Sequence, residues 1–218
     1  MQDEYMQNVS TPAAERAYEY VKRAIIDGDI DDSEMLSEAA IAAKLGMSRT
    51  PIREAFLRLE VEGFLKLYPK RGALVVPISP REIREVYEAR MLVDEHSARH
   101  ICGLDDTERT VIADCLDATI EEQSAALDAE DLRTYTRLDA RFHQTIMDNG
   151  GNSLLASLGH SLRERQQRFT ATAIGRNVER ARAFVAQHRL LADALRAGDI
   201  DTYLTELDDH LTTSRKQL

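Results

Sequence analysis

From Ser79 to its last residue the sequence carries helical periodicity and no strand signal, which restricts the larger part of the chain to helices packed on helices. The run Ser79-Pro80-Arg81-Glu82 reads as a capping box with proline at the first helical position, opening a helix that continues to about Cys102 before Gly103. Further helical periods cover roughly residues 107–128, 131–148, 153–172, 177–197 and 199–215. The breaks between them are Asp105-Asp106, Asn149-Gly150-Gly151, Gly175 and Gly198-Asp199. Amphipathic helices joined this closely bury their apolar faces only against one another, so residues 78–218 are expected to form an all-α bundle of six or seven helices.

Residues 1–77 follow a different pattern. Thr11-Pro12 places an N-cap before a proline in the first turn, Tyr18, Val21 and Ile25 recur at helical spacing, and Gly28 stops the segment. Ser37 caps a second helix through Ile41 and Leu45, Gly46 ends it, and Ser48 starts a third through Ile52, Ala55, Phe56 and Leu59. Phe64 to Leu67 and Ala73 to Val76, joined by Tyr68-Pro69-Lys70-Arg71-Gly72, read as a β-hairpin with a basic tip. Three helices and such a hairpin make a winged helix-turn-helix, whose third helix enters the DNA major groove while the wing touches backbone or minor groove. The fold expected is mainly α, an N-terminal winged helix-turn-helix followed by an all-helical bundle, with the boundary near Pro77 to Pro80.

The formal charge of −10 would ordinarily argue against nucleic acid, but the charge is unevenly distributed. Residues 40–72 hold seven basic side chains against three acidic ones, a basic island between two acidic flanks. Ser48, Arg49, Thr50 and Arg53 crowd the first turn of the third helix, where free amides favour phosphate and guanidinium forks reach guanine edges; Lys44, Lys70 and Arg71 add charge around them. Elsewhere the chain reads as ordinary soluble protein. No run approaches the ~20 apolar residues of a membrane span, and the first residues lack the basic-then-apolar layout of a signal peptide. Cys102 and Cys115 are expected to be reduced thiols, and the cytoplasm is the expected location.

The run Ser48-Arg49-Thr50-Pro51-Ile52-Arg53-Glu54-Ala55, followed by Leu59-Glu60-Val61-Glu62-Gly63-Phe64-Leu65 and Arg71-Gly72, resembles the DNA-binding domain of the GntR family of bacterial transcription regulators over about residues 12–77. The resemblance implies that Ser48, Arg49, Arg53 and the wing glycine Gly72 contact an operator. The chain departs from the family pattern where Asp31-Asp32-Ser33-Glu34 replaces a Pro-Gly turn and Ala39 replaces an arginine that touches the operator in some members.

In the helical region the informative residues are those that break an apolar stripe, because a charged or imidazole side chain there must find a partner or lose its charge. Near 131–148, Leu132, Tyr135, Leu138, Phe142 and Ile146 mark the inner face, with Asp139 and His143, spaced i and i+4, along its edge. His188 lies among Ala181, Phe184, Leu191 and Leu195, and His210 among Ile200, Tyr203, Leu207 and Leu211. Asp139, His143, His188 and His210 are thus candidate ligands of one metal ion in the bundle interior. His96 and His100 share the i, i+4 spacing but point away from their stripe, as does His160, and all three read as solvated. Arg90 falls on the stripe Ile83, Tyr87, Arg90, Asp94, Ser97, Ile101; it reads either as a partner of Asp94 or as a carboxylate clamp, and Arg165 at the edge of its own stripe is a second candidate.

The region 79–215 also resembles a known module, the FCD ligand-binding domain of the FadR subfamily of GntR regulators, through Asp139-x-x-x-His143, His188, His210 and the arginine of Tyr87-Glu88-Ala89-Arg90. The resemblance implies a divalent metal ion, zinc first and nickel or another divalent metal as alternatives, that helps hold a small organic acid effector. Relatives that bind fatty acyl-CoA lack this histidine set. It further implies a homodimer on double-stranded operator DNA, no membrane partner and no catalysis, with repression relieved by the effector. Two rivals remain at this stage: a metal-dependent hydrolase built on the same Asp and His residues, and a DNA-binding dimer whose ion is purely structural.

Overall fold

Ala17, Tyr18, Val21 and Ile25 form the buried face of the first helix, α1 (Ala13–Ile26), whose i, i+3, i+4 apolar spacing leaves one side to solvent. The computed structural model describes residues 12–173 and 178–216; the expected cap at Thr11 and the expected break at Gly175 lie outside the described residues. Pro12 occupies the cap position of α1. Lys22, one turn along, is buried against the end of a later helix: its ammonium donates to the Tyr18 hydroxyl at 2.7 Å and lies 2.9 Å from the Glu62 carboxylate.

Two short helices follow, α2 (Glu38–Leu45) and α3 (Arg49–Val61), separated by Gly46 at φ +63°, the left-handed cap that ends α2 within one residue. The hairpin strands are β2 (Leu65–Tyr68) and β3 (Gly72–Val75), antiparallel with Leu65 opposite Val75 and Tyr68 opposite Gly72. The sequence reading misses one strand, β1 (Met35–Leu36), which pairs antiparallel to β3 and completes a sheet of order β1-β3-β2. Two residues are too few to show alternation, so no local pattern announces it. The turn before it, Asp31 to Glu34, places Ser33 at φ +67° and is closed by the Glu34 amide on the Asp31 carbonyl, which is how the chain turns here without Pro-Gly.

The chain divides after Pro77 into two compact units. The second begins with α4 (Pro80–Cys102). Ser79 accepts the Glu82 amide at 3.1 Å, but the Glu82 carboxylate accepts from Arg165 instead of returning to Ser79, so only half of the expected capping box forms. Then come α5 (Asp106–Asp128), α6 (Leu132–Asp148), α7 (Ser153–Ala173), α8 (Val178–Ala197) and α9 (Ile200–Arg215), making six helices among the described residues of this unit. A complete capping box does form at α5, between Asp105 and Glu108, and Asp131 and Asp199 cap α6 and α9. Helix α5 packs on α6 and α8, while α4 packs on α7 and α9, around a core that includes Tyr135, Phe142, Leu191, Leu195, Tyr203 and Leu207.

Gly72 is where sheet geometry forbids a side chain. Its φ is +112°, and a Cβ there would collide with the carbonyl oxygen of Leu36 on β1. Gly72→Ala is therefore expected to weaken the β1–β3 pairing by about 1–3 kcal/mol. Amide exchange at residues 33–37 and 72–75 should quicken by roughly 5- to 150-fold relative to the helical unit; exchange unchanged in those segments contradicts the assignment.

Candidate functional site

The residues expected to contact DNA are positioned by the buried side of α3. Ile52, Ala55, Phe56 and Leu59 are fully buried, which turns Arg49, Thr50 and Arg53 outward at the N-terminal end of the helix, beside Ser48 at the cap position. The Ser48 side chain makes no capping bond, so its hydroxyl is not committed to the helix end. Lys44, Lys70 and Arg71 are also exposed; Lys44 lies over the Tyr20 ring at 5.5 Å, and Lys70, at φ +64°, forms the tip of a turn closed by the Arg71 amide on the Tyr68 carbonyl. Arg58 is different. It pairs with Glu15 at 2.6 Å and covers the Tyr18 ring at 3.7 Å, tying α3 to α1. Gly72, expected to touch DNA, is half-buried and serves the sheet at the same time.

The structure brings His143, His188 and His210 together from α6, α8 and α9. All three are buried, with one ring nitrogen of each within 4.8 Å of the others. His143 Nε2 and His210 Nε2 are 3.2 Å apart, and Asp139 Oδ1 lies 3.5 Å from His188 Nε2. Two ligands each about 2.0–2.1 Å from a tetrahedral zinc ion stand about 3.3 Å apart, so each of these two spacings suits neighbouring ligands, while Asp139 stands outside the set of three whose nitrogens are mutually close. The rings are held from behind. His188 Nδ1 is 2.9 Å from Gln123 Oε1, and His210 Nδ1 is 3.1 Å from Gln187 Oε1. An amide oxygen only accepts, so each Nδ1 carries the proton and each Nε2 presents a lone pair. His188 also stacks on Phe142, with centroids 4.3 Å apart, and its Nε2 is buried without a hydrogen-bond partner. His96, His100 and His160 are exposed and stand apart from this cluster.

Electrostatics keep the imidazoles neutral. Burial, reinforced by the positive charges of Arg163 and Arg90, pushes His188 down to about 3, and burial likewise holds His143 and His210 well below the usual imidazole range. A neutral imidazole is the form that ligates a metal.

Arginines are buried in the same unit. Arg90 on α4 is completely buried; its Nη1 donates to Gln166, its Nη2 donates to Asp94 at 3.3 Å, and its Nε has no partner. Arg163 on α7, which the sequence reading does not single out, is buried as well and donates from Nη2 to both the carbonyl and the carboxylate of Asp139, at 3.0 and 3.3 Å. Its Nε and Nη1 have no partner. Burial raises the Asp94 carboxyl above its usual range while Arg90 and Arg163 pull it down. Arg165 is partly exposed and pairs with Glu82 at 2.7 Å, so the structure ties it to the start of α4 rather than to the histidines.

Residues 13–75 match the model described as bacterial regulatory proteins, gntR family, and residues 85–213 match the FCD domain. The chain belongs to the GntR family. It is 32% identical over 131 residues, 60% of this chain and 77% of the relative, to an HTH-type transcriptional regulator in the TAR-I ttuE-ttuC' intergenic region of Agrobacterium vitis. It is 25% identical over 204 residues, 94% of this chain and 88% of the relative, to the HTH-type transcriptional repressor RspR of Escherichia coli. Among solved structures, E. coli McbR/YncC superimposes with a TM-score of 0.76 at 21% identity, covering 94% of this chain and 95% of that one, a likeness of fold. As a GntR-family member with an FCD domain, the chain is a transcription regulator with a ligand-binding domain, not an enzyme. No helix among the described residues is long and apolar enough to cross a membrane.

For this GntR-family chain, the sequence signal that could have found Arg163 was present but out of phase. The leucines Leu155, Leu158 and Leu162 suggest the inner face of α7, yet Leu158 is 46% exposed; the buried line runs through Gly159, Leu162, Arg163, Gln166 and Phe169. Gln123 lies squarely on the buried stripe of α5 and would have been caught by asking which amides, rather than which charges, face inward.

Two outcomes follow. Gln123→Leu should lower zinc affinity about 10- to 100-fold in a chelator competition while Gln123→Glu retains most of it; equal affinity in both variants removes Gln123 from the second layer of the site. The histidines have folded values below the ordinary 6.5, so the unfolded chain takes up protons that the folded chain refuses. Their contribution is fully present above about pH 6.5 and is lost as pH falls, by up to about 1.4 kcal/mol per pH unit for each histidine. Urea melts of the metal-free chain between pH 7.5 and 5 should show this slope, shallower by about one proton in His188→Gln; an identical slope in the variant contradicts the buried neutral state.

Proposed function

We propose that this regulator is a ligand-responsive repressor of the FadR subfamily, acting in the cytoplasm as a homodimer on a roughly palindromic operator and sensing a small organic acid through a divalent metal ion. The observation that carries this reading is the convergence of three buried imidazoles, with Asp139 3.5 Å from one of them, the Nε2 lone pairs of His188 and His210 left free by their Nδ1 partners, and the Arg163 guanidinium on Asp139. His143, His188, His210 and Asp139 would hold the ion; zinc suits the nitrogen-rich donor set and its spacing, and nickel or another divalent metal is the alternative. When bound, the ion supplies a Lewis-acid position for an effector carboxylate. Arg90 supplies a planar fork of donors, with its Nε still available.

A repressor must bind its effector with different affinity in the DNA-competent and DNA-incompetent states. The effector acts on the helical domain and changes how the two winged domains of a dimer meet successive half-sites. The name of the E. coli relative RspR, a transcriptional repressor, agrees with this sign of regulation. A second reading is an ion that only braces the helices; it is favoured if four protein ligands saturate the ion and no carboxylate reaches it.

Elemental analysis of the purified chain, with thermal melts against small carboxylic acids before and after chelation, tests the ligand side. About one divalent ion per chain and a carboxylate-induced stabilisation that disappears with chelator are expected. A bound ion with no carboxylate response favours the bracing role, and no ion overturns the metal site. On the DNA side, Arg49→Ala and Arg53→Ala should each weaken binding to a DNA site selected by the chain from a random pool by about 5- to 150-fold, with unchanged metal content. Wild-type affinity in both variants would falsify the recognition-helix assignment.

A further inference from the structure

We propose that the effector is a compact dicarboxylate, its two negative charges matched to the buried guanidiniums of Arg90 and Arg163; this rests on the metal-and-effector reading above and narrows it to one chemical class.

The first observation is the donor inventory. Arg90 Nε, Arg163 Nε and Nη1, the Tyr135 and Tyr203 hydroxyls and Gln123 Nε2 are all buried without a hydrogen-bond partner. Buried polar atoms in folded proteins are nearly always paired, so a group of unpaired donors in one interior marks the place of an absent acceptor-rich occupant. The donors belong to one neighbourhood. Arg90 donates to Gln166, one turn along α7 from Arg163; Arg163 donates to Asp139, one turn along α6 from Tyr135; Gln123 faces His188, which lies 3.5 Å from Asp139; and Tyr203 shares the core with Tyr135. Unpaired acceptors are fewer: Asp94 Oδ1, His188 Nε2 and Gln144 Oε1, with His143 Nδ1 unpaired in either tautomer.

The second observation is charge. Arg90 and Arg163 are each hydrogen-bonded to one aspartate, Asp94 and Asp139, so these four groups balance. Imidazoles that ligate a metal do so in the neutral form. A divalent ion held by Asp139 and the imidazoles would leave this interior with an excess of two positive charges. Arg168, buried on the same helix and with partners of its own, does nothing to reduce that excess. A neutral occupant leaves both charges uncompensated, a monocarboxylate leaves one, and a dicarboxylate removes both; uncompensated charge in a dry interior is the costliest of these states.

The third observation is placement. The two guanidiniums come from different helices, α4 and α7, and each already spends one edge on a different aspartate while keeping at least one further N–H. Two separate open edges suit two separate carboxylates, since each planar fork engages one carboxylate group. Tyr203 and Tyr135 then serve the remaining oxygens or a hydroxyl carried by the ligand.

The test uses the zinc-loaded full-length chain and titration calorimetry with matched pairs: succinate against butyrate and against monomethyl succinate, malonate against propionate, and inorganic phosphate as the compact dianion without two carboxylates. At least one dicarboxylate should bind about tenfold or more tighter than its monoanionic partner and than phosphate. That preference should collapse in Arg163→Gln, with the zinc content measured in parallel, and narrow several-fold in Tyr203→Phe, which touches no expected metal ligand. Mono- and dicarboxylates binding within about threefold of one another, or phosphate binding as well as the best dicarboxylate, overturn the dianion while leaving the metal-and-effector reading in place. Zinc binding with no response to any of these acids also overturns it. Failure of zinc itself to bind instead removes the reading on which it rests.

Discussion

Three imidazoles, two guanidiniums and a carboxylate lie fully buried in a helical bundle of moderate size, and the organisation of the second unit follows from what that burial demands. An interior of this kind would be filled more cheaply by leucine. Instead, all of these groups but His143 are anchored on one side and left open on another: His188 by Gln123, His210 by Gln187, Arg90 by Asp94 and Gln166, Arg163 by Asp139. The anchors come from α4, α5, α6, α7 and α8, so most helices of the bundle contribute to orienting one small volume. Neutral histidines are the cheapest way to place nitrogen donors there, and the surrounding arginines reinforce that neutrality while supplying the positive field an anion requires.

The winged unit solves a simpler problem. Its core, from Val21 and Ile25 to Phe56, Leu59 and Val75, is apolar and fixes the rotation of α3. The same helix thereby carries Ile52 and Phe56 inward and Arg49 and Arg53 outward, and the burial of one face sets the presentation of the other. Arg58 shows that basic residues in this stretch are not interchangeable, because Glu15 and Tyr18 claim it for the fold.

Much of this is legible in the sequence, for physical reasons that can be named. The helices are long, periodic and bounded by Ser79-Pro80, by Asn149-Gly150-Gly151 and by Gly198-Asp199, and their existence follows from patterns spanning several turns. Strand β1 is not legible, since two residues after an acidic turn acquire their conformation from β3 and not from their own preference. Within the site, His143, His188 and His210 stand out because imidazoles on an apolar stripe contradict its period. Arg90 stands out for the same reason. Arg163 does not, because Leu155, Leu158 and Leu162 suggest a face of α7 centred on Leu158, which is 46% exposed. Gln123 and Gln187 are silent because an amide is unremarkable until the ring it faces is known.

The most direct measurement of the central claim is X-ray absorption at the zinc edge on the chain loaded with one equivalent of zinc, with and without a saturating dicarboxylate. The account predicts a nitrogen-rich light-atom shell at about 2.0–2.1 Å with imidazole scattering, altered by the dicarboxylate and degraded in His188→Gln. A spectrum of hydrated zinc with no imidazole contribution, identical in His188→Gln, would contradict it.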